Sequence, residues 1–319
     1  SIGPDLWCLE QDSDWRNGQL LLHEGTHGFM NNNMGSCGPP WYMEGMAELL
    51  STYRVDADGN LHMNQILSSS EEAPYWGRIR LVTDAFRENR ARPLVDVLRS
   101  SPHEIADSED YAWCWALAYL LDRHPRYRDR FHAASENVRR LSFTDRFIES
   151  MRDDWEDLQE EWTVFIFDLD FDYDVEATTV DFTIADRYVQ PEQVETFEVV
   201  TTRGWQNTGL RVKEGEAYEI AATGRYRIDD EPKPWISEPD GVTIRYYHGA
   251  PLGMLLAAVR ADSTPTYEVT GLARPMPTGA RGTITPGYDG TLYFKINDSA
   301  GDLGNNKGKI EVKIRRKPE

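Results

Sequence analysis

The sequence is poor in several features that mark common protein classes. Its 319 residues include only three cysteines, Cys8, Cys37 and Cys114, and none stands in a C-x-x-C pair. An odd number leaves room for at most one internal disulfide, of which Cys8–Cys37 is one option, with one thiol unpaired. No apolar run approaches the roughly 18 residues that a membrane-spanning helix needs, so no membrane span is expected.

Positive charge is also scarce. Lysine and arginine number 34 against 54 aspartates and glutamates, which gives a formal net charge of −20. A surface of that sign repels phosphate backbones, so no nucleic-acid partner is expected. Lysine is absent before Lys213, an asymmetry that favours two different modules. The hydrophobic content of 40% and the 10 tryptophans are enough for folded cores, and the length suits about two domains.

The hydrophobic pattern divides the chain in two. Helices are predicted over residues 17–35, 42–54, 78–88, 111–122, 123–134 and 142–170. No strand alternation is seen in the first 160 residues. From about residue 178, short runs alternate polar and apolar residues, which is typical of an all-β sandwich or barrel. We therefore expect a multidomain protein with a mainly α-helical domain over 1–175 and an all-β domain over 176–319, the acidic run 168–174 belonging to the linker.

The clearest chemical motif is the segment His23-Glu24-Gly25-Thr26-His27. Two histidines four residues apart project from one face of a helix, so both imidazoles can bind one zinc ion. Glu24 lies one step round the helix, where it can take a proton from a zinc-activated water. Catalytic zinc needs a third protein ligand, and Glu44 follows His27 by 17 residues in the segment W-Y-M-E-G-M-A-E.

These two segments together resemble the gluzincin metallopeptidases of the peptidase MA clan. The third zinc ligand of that family is a glutamate on a following helix, in a W-x-x-E-G-x-A-E setting. The resemblance implies that His23, His27 and Glu44 bind zinc and that Glu24 is the general base. It also implies that Glu48 accepts the free N–H of a ligating histidine and so fixes its tautomer.

The resemblance implies one more catalytic group and leaves its identity open. Gluzincins bring a tyrosine or histidine from a later helix to the oxyanion. Tyr111 is favoured for this role, and Tyr119, His103 and His124 are the alternatives.

Cys37, in a Gly- and Asn-rich loop, is a candidate for a different role, as a thiolate that caps the metal.

The family also has a sheet before the zinc-binding helix. Only 22 residues precede His23 in this sequence. Either the upstream part is missing from this sequence, or the site is bare, which would suit an inactive or strictly partnered enzyme.

The C-terminal segments 204–209, 221–226, 251–258 and 296–308 resemble, in order, a second family. They are similar to the small calcium-dependent, galactose-binding bacterial lectin of the PA-IL type, a jelly-roll-like β-sandwich, over about residues 195–315. The resemblance implies a calcium site. Side-chain oxygens come from Asp298, Asn305 and Asn306, and backbone carbonyls from Asp302 and Ile228. Carboxylate, amide and carbonyl oxygens are the ligands that calcium takes.

The loop 237–241 corresponds to the sugar-binding loop of this lectin family. Glu238 stands where the family has a histidine, and the family's glutamine has no counterpart, so galactose specificity does not carry over. Glu238 and Asp240 are the candidate ligand-binding residues of the loop. The nearby aromatics Trp235, Tyr246 and Tyr247 could stack on a sugar. A calcium-stiffened accessory domain without sugar binding is the alternative.

The sequence thus predicts a zincin-like zinc metallopeptidase that hydrolyses peptide bonds, with a carbohydrate-binding-like accessory domain. The alternative is a glycan-binding or adhesion protein whose zincin domain is catalytically vestigial. A structural zinc site without catalysis is a third hypothesis. The expected cofactors are zinc and calcium, and the expected partners are a peptide or protein substrate and a glycan. Calcium sites and lectin-like modules favour a secreted or periplasmic protein.

Overall fold

The computed structural model describes residues 10–11, 13–73, 76–231, 233–262 and 269–318. The chain forms two compact units, Ser1–Asp172 and Tyr173–Glu319. The first is mainly helical and the second is built of β-strands, so the predicted succession of a helical part and a β part is confirmed. Among the described residues, no helix has the length and apolar character that crossing a membrane requires.

The first unit contains the helices α1 (Asp14–Phe29), α2 (Pro40–Ser51), α3 (Arg78–Arg87), α4 (Leu94–Leu98), α5 (Ser108–Arg123), α6 (Arg128–Ala134), α7 (Phe143–Ser150) and α8 (Trp155–Asp168). α1 begins where the Ser13 hydroxyl accepts a hydrogen bond from the Arg16 N–H at 3.2 Å. It continues into a π-helical turn, Met30–Met34, which accounts for the longer predicted helix.

Helix α5 is largely buried, with every residue from 112 to 121 in the interior of the first unit. α2 packs against it at Gly45. A β-carbon at that position would lie 2.8 Å from the Cys114 carbonyl oxygen, so only glycine allows this approach. From α2, the side chains of Glu44 and Glu48 reach α1, where each has an oxygen 3.4 Å from a ring nitrogen of His23.

Two expectations for the first unit are wrong. A hairpin of β1 (Tyr53–Val55) and β2 (Leu61–Met63) falls within the part expected to lack strands. Each strand has three residues, too few to show alternation, and the hairpin turn depends on the Asp56 carboxylate, which accepts from the Asn60 N–H at 2.8 Å. The predicted helix 42–54 accordingly ends at Ser51, before β1.

The division between the two units falls within the acidic run, between Asp172 and Tyr173. Asp168 closes α8, and Leu169 is buried. The Asp172 N–H donates to the Leu67 carbonyl at 2.9 Å. The Asp174 N–H donates instead to the Ala300 carbonyl of the second unit, at 3.3 Å.

The second unit begins with a short helix, α9 (Val175–Thr178), followed by strands. The strands are β3 (Arg187–Tyr188), β4 (Val194–Val200), β5 (Gln206–Val212), β6 (Tyr218–Thr223), β7 (Tyr226–Asp229), β8 (Trp235–Ser237), β9 (Val242–Tyr247), β10 (Ala250–Leu252), β11 (Leu255–Ala261), β12 (Met276–Pro277), β13 (Arg281–Ile284), β14 (Gly290–Ile296) and β15 (Lys309–Arg316).

The described strands form two larger sheets with a common core. One has the order β12-β11-β14-β5-β3 and the other β13-β6-β15-β4, while β7–β8 and β9–β10 pair separately. The predicted alternation of β15 is observed, with Ile310, Val312 and Ile314 buried. Phe197 of β4 and Phe294 of β14 lie 6.4 Å apart between ring centres, so the inner faces of both sheets contribute to one hydrophobic cluster.

Candidate metal centres

Three side chains of the first unit converge in the arrangement that a zinc ion requires. His23 and His27 project from one face of α1, and Glu44 projects towards them from α2. The two Nε2 atoms lie 3.2 Å apart, and each lies 3.4 Å from Glu44 Oε2. Tetrahedral ligands about 2.1 Å from a zinc ion lie about 3.4 Å from one another. The residues present therefore fit a metal ion of this size, with one coordination position left for solvent or substrate.

The charges at this site are mutually dependent. Burial alone would lower the pKa of His23, but contacts with Glu44 and Glu48 raise it to about 9. Burial would likewise raise the pKa of Glu44, yet the two histidines lower it below its ordinary value. The carboxylates of Glu44 and Glu48 thus favour positive charge at His23, which is the charge that a divalent cation would supply.

Glu48 contacts His23 at the ring nitrogen that does not face the other two candidate ligands. Its Oε1 lies 3.4 Å from His23 Nδ1, so the other ring nitrogen, Nε2, faces the proposed metal position. Glu48 is almost fully buried, and burial would raise its pKa, but His23 and Arg78 lower it to about 2. Arg78 donates to both carboxylate oxygens, at 2.9 and 3.0 Å. The structure therefore places Glu48 where the resemblance implies an orienting carboxylate.

Sequence reasoning missed Arg78. It begins α3, which follows Glu48 by some thirty residues, and it carries no motif that marks it. Its Nη1 also donates to the Ser108 carbonyl at 3.4 Å, and its guanidinium lies 5.8 Å from the ring centre of Tyr111. Arg78 thus connects the orienting glutamate to the start of α5. The one available signal, an arginine at the start of an apolar helix, is too common to be used.

A cleft of about 330 Å³ lies beside the ligands. Glu24, half-buried, lines this cleft together with Arg16, Arg78 and Tyr111. The Tyr111 ring centre lies 6.1 Å from that of His23. Burial and then the carboxylates of Glu44 and Glu48 raise the pKa of the Tyr111 phenol, so it stays protonated at neutral pH and can donate a hydrogen bond. The cleft therefore offers a carboxylate and a hydroxyl donor beside His23, the one candidate ligand of the three that lines it.

The other oxyanion candidates lie elsewhere. Tyr119 is buried and stacks on Trp115. His103 is exposed in the turn before α5. His124 is fully buried, with Nε2 3.3 Å from a Glu161 carboxylate oxygen and its ring stacked on Tyr127. Of the four candidates, Tyr111 is the one that lines the described cleft.

The cysteines take no part in the described ligand cluster. The Cys37 thiol donates to the His27 carbonyl at 3.6 Å, and burial, then Glu44, raise its pKa. It is therefore a protonated thiol that supports the backbone beside the site. Cys37 and Cys114 are buried free thiols, and Cys8 lies outside the described residues.

A second cluster of ligand atoms lies after β14 in the second unit. Asn306 donates through Nδ2 to Asp298 Oδ2 at 2.9 Å and to the Thr201 carbonyl at 3.0 Å, which leaves its Oδ1 buried and without a hydrogen-bond partner among the described residues. Asn305 Oδ1 is likewise buried and has no hydrogen-bond partner among the described residues. Burial, opposed by the Asn306 hydrogen bond, raises the pKa of Asp298 to about 7. A buried carboxylate beside two unpartnered amide oxygens fits a hard cation such as calcium.

The two predicted backbone ligands lie next to this cluster. The Asp302 carbonyl accepts from the Asn305 N–H at 3.1 Å, in the turn that carries the asparagines. Ile228 stands at a register shift between β7 and β8. Its neighbour Arg227 exchanges two backbone hydrogen bonds of 2.9 Å with Lys307, the residue after Asn306. The tertiary structure thus brings β7 to the asparagine turn.

The predicted sugar-binding loop joins β8 to β9. Glu238 is exposed, with Oε1 3.5 Å from Arg225 Nε. The Asp240 carboxylate accepts from the Ala280 N–H at 2.7 Å, so it holds the loop in place. Trp235 and Tyr247 pack partly against the core, whereas Tyr246 is 61% exposed. Of the three aromatics, Tyr246 has the accessible ring.

No protein-family model and no curated protein matches the chain. Among solved structures, the chain is similar to the N-terminal domain of EclA, a PllA-like lectin, with 22% identity over 38% of this chain and 95% of that chain and a TM-score of 0.30. It is also similar to the IMPa metallopeptidase in complex with T-antigen, with 11% identity over 85% of this chain and 27% of that chain and a TM-score of 0.24.

IMPa from Pseudomonas aeruginosa in complex with an O-glycopeptide gives 10% identity over 86% of this chain and 27% of that chain, with a TM-score of 0.22. This chain thus spans about a quarter of the IMPa chain. Likenesses at these TM-scores establish neither a shared fold nor a shared activity. The functional conclusion therefore depends on the geometry of the two sites.

Proposed function

We propose that the first unit is a zinc-dependent metallopeptidase that hydrolyses peptide bonds in a peptide or protein substrate. The observation that carries this proposal is the convergence of His23, His27 and Glu44, with donor atoms 3.2 to 3.4 Å apart, beside a cleft that Glu24 lines. Two histidines and a glutamate form the ligand set of catalytic zinc sites that keep one open position.

The mechanism follows from the positions of these side chains. Zinc bound by the three ligands would act as a Lewis acid, which polarises the scissile carbonyl and lowers the pKa of the attacking water. Glu24 accepts the proton of that water and passes it to the leaving amine. The protonated Tyr111 phenol donates a hydrogen bond to the oxyanion. Glu48, held by Arg78, orients His23 through Nδ1.

Zinc content and one conservative variant test this proposal. Protein purified from zinc-replete medium should contain one zinc per chain and should cleave members of a peptide library. Glu24→Gln should keep the zinc and lose about 10²- to 10⁴-fold in rate, because the general base is removed. Glu149→Gln, an equivalent change at an exposed position of α7, is the control. Absence of zinc, or a fully active Glu24→Gln protein, would refute the proposal.

For the second unit we propose an accessory role, calcium binding and, through the calcium, glycan binding. Its support is the buried Asp298 carboxylate beside the unpartnered Asn305 and Asn306 oxygens. Calcium should raise the unfolding temperature of this unit, and Asp298→Asn should abolish that shift. Glu311→Gln, at an exposed position of β15, should behave as the wild type. A glycan array that stays silent in the presence of calcium would exclude the glycan-binding role.

The same experiments separate the main proposal from its alternative. A protein that binds glycans but neither retains zinc nor cleaves peptides would be a glycan-binding or adhesion protein with a vestigial first unit. We further propose an extracytoplasmic, secreted or periplasmic location, because calcium sites and lectin-like modules are typical of proteins there. Fractionation of the native cells tests this location.

A further inference from the structure

Arg16 is a cationic side chain of the cleft for which the described residues provide no acidic partner. It lies on α1, half-buried, and lines the cleft together with Glu24 and Tyr111. Its backbone N–H is held by the Ser13 hydroxyl at the start of the helix. The position of Arg16 is therefore defined by the helix cap, while its guanidinium enters no ion pair in the described structure.

Most described arginines of the first unit pair with a carboxylate, as Arg99 does with Asp145 at 3.0 Å and Arg90 with Glu109 at 2.8 Å. The exceptions besides Arg16 donate to a backbone carbonyl or to a neutral side chain; they are Arg139, Arg140 and Arg146. Arg16 differs from these exceptions because it lines the cleft, where a ligand can supply the carboxylate.

Three other polar side chains of the cleft have partners among the described residues. Arg78 is paired with Glu48 through two hydrogen bonds. The Gln19 amide donates to the Ser51 hydroxyl at 3.0 Å. The Asp107 carboxylate caps α5, where it accepts from backbone N–H groups. Arg16 is therefore left as the cation that can bind a ligand in the cleft.

The distance from Arg16 to the metal ligands indicates which part of a substrate it can reach. Arg16 precedes His23 by seven residues, which places both on the same face of α1, two turns apart. At about 1.5 Å per residue, the separation along the helix is about 10 Å. An extended peptide covers this length in about three residues, since it rises about 3.3 Å per residue.

We infer that Arg16 binds a carboxylate of the substrate about three residues from the scissile bond. The inference rests on the proposed peptidase function and adds a substrate preference to it. A planar guanidinium binds a carboxylate through two parallel hydrogen bonds. The acidic surface of the protein does not prevent this pairing, because charges farther than about 8 Å are largely screened at physiological salt. Either an Asp or Glu side chain or a C-terminal carboxylate can supply the anion.

Matched peptides test the preference by cleavage. A peptide that the wild type cleaves is varied by placing Glu or Gln at each of the three positions on either side of the scissile bond. A second pair has Gln throughout and ends in a free acid or an amide. One acidic member should show about a tenfold higher kcat/KM than its neutral partner at 0.15 M salt, and the pair in which it occurs identifies the source of the carboxylate.

Two charge-neutralising variants assign this preference to a residue. Arg16→Gln should reduce the ratio of acidic to neutral kcat/KM to about one. Arg128→Gln removes the same charge from an exposed position of α6 and should keep the wild-type ratio. Equal kcat/KM values for acidic and neutral peptides in the wild type would overturn the inference while leaving the peptidase proposal intact. So would a preference that survives in Arg16→Gln.

A binding measurement makes the test independent of turnover. Fluorescence anisotropy of the same labelled peptides on zinc-loaded Glu24→Gln protein should show about tenfold tighter binding of the acidic member. That difference should disappear in the Glu24→Gln/Arg16→Gln double variant. Equal affinities in Glu24→Gln contradict the inference. A wild type without any peptide cleavage, combined with no binding to Glu24→Gln, refutes the peptidase proposal and the inference with it.

Discussion

Glu48 and Arg78 form a bidentate ion pair, with N–O distances of 2.9 and 3.0 Å. Glu48 Oε1 also lies 3.4 Å from Nδ1 of the proposed zinc ligand His23. Both side chains are buried. The pair joins α2 to α3 and presents one carboxylate oxygen to the imidazole. The ion pair thus connects the stability of the first unit with the orientation of a metal ligand.

The first prediction concerns this ion pair. Arg78→Met should lower the free energy of unfolding of the first unit by about 3–5 kcal/mol, because it leaves Glu48 buried without its partner. Zinc affinity should fall by about 10- to 100-fold, since His23 loses its fixed orientation. Urea unfolding and competition with a zinc chelator measure the two effects. The double variant Arg78→Met/Glu48→Leu should recover the stability but not the zinc affinity. Recovery of both would contradict the orienting role of Glu48.

The second prediction concerns the oxyanion. Tyr111→Phe should lower kcat by about 10- to 10³-fold with little change in KM, since the phenol donates to charge that develops only in the transition state. Zinc content and the unfolding midpoint should stay at the wild-type values. Tyr246→Phe, at an exposed position of the second unit, is the control. A Tyr111→Phe protein with unchanged kcat would remove Tyr111 from the mechanism.

The third prediction compares two glycines on the helices that carry the proposed zinc ligands. Gly45→Ala should destabilise the first unit by about 1–3 kcal/mol, because its β-carbon would lie 2.8 Å from the Cys114 carbonyl oxygen. Gly25→Ala, which meets no atom within 4 Å, should stabilise α1 by about 0.5–1 kcal/mol. Urea unfolding of both variants measures the contrast. Equal effects would mean that the α2–α5 approach does not depend on glycine.

The fourth prediction concerns acid stability. Burial alone would raise the pKa of Asp110, but the N–H groups of Ala106 and Asp107 and the guanidinium of Arg92 lower it below its ordinary value of 3.8. A lowered pKa in the folded state contributes stability above pH 3.8, which is lost as the pH falls through the folded pKa. Asp110→Asn should therefore destabilise the first unit at pH 7 and much less at pH 2.5.

Urea unfolding at the two pH values measures this effect. Asp129→Asn, at an exposed position of α6, should leave the free energy of unfolding unchanged at both pH values. If Asp110→Asn lowers the free energy of unfolding equally at pH 7 and pH 2.5, the charge of Asp110 contributes nothing to the stability of the first unit.

Much of the proposed zinc site depends on local spacing and was therefore accessible from the sequence. Four residues make about one helical turn, so His23 and His27 share a face wherever a helix forms. Glu44 and Glu48 have the same spacing on the following helix. The sequence does not show that these two faces meet. Their contact depends on tertiary packing, of α1 against α2 and of α2 against α5 at Gly45.

The sequence could not indicate the residues that act across long separations. Arg78 meets Glu48, and Arg16 faces the cleft, only because the helices that carry them pack around one cavity. The same limit applies to the choice among Tyr111, Tyr119 and His124, which lie within fourteen residues of one another on or beside one helix. Each of the three side chains is of a type that can donate a hydrogen bond to an oxyanion. Only their different surroundings in the tertiary structure distinguish Tyr111, which lines the cleft, from the other two.

By itself, the sequence determined the order of a helical and a β part, and the residue types at the two proposed metal sites, because periodicity and ligand spacing are local properties of a chain. Only the tertiary structure decided the β1–β2 hairpin, the Glu48–Arg78 pair, the place of Tyr111 and the unpartnered oxygens beside Asp298. These features arise from contacts between distant segments, whose free energy depends on how the whole core packs.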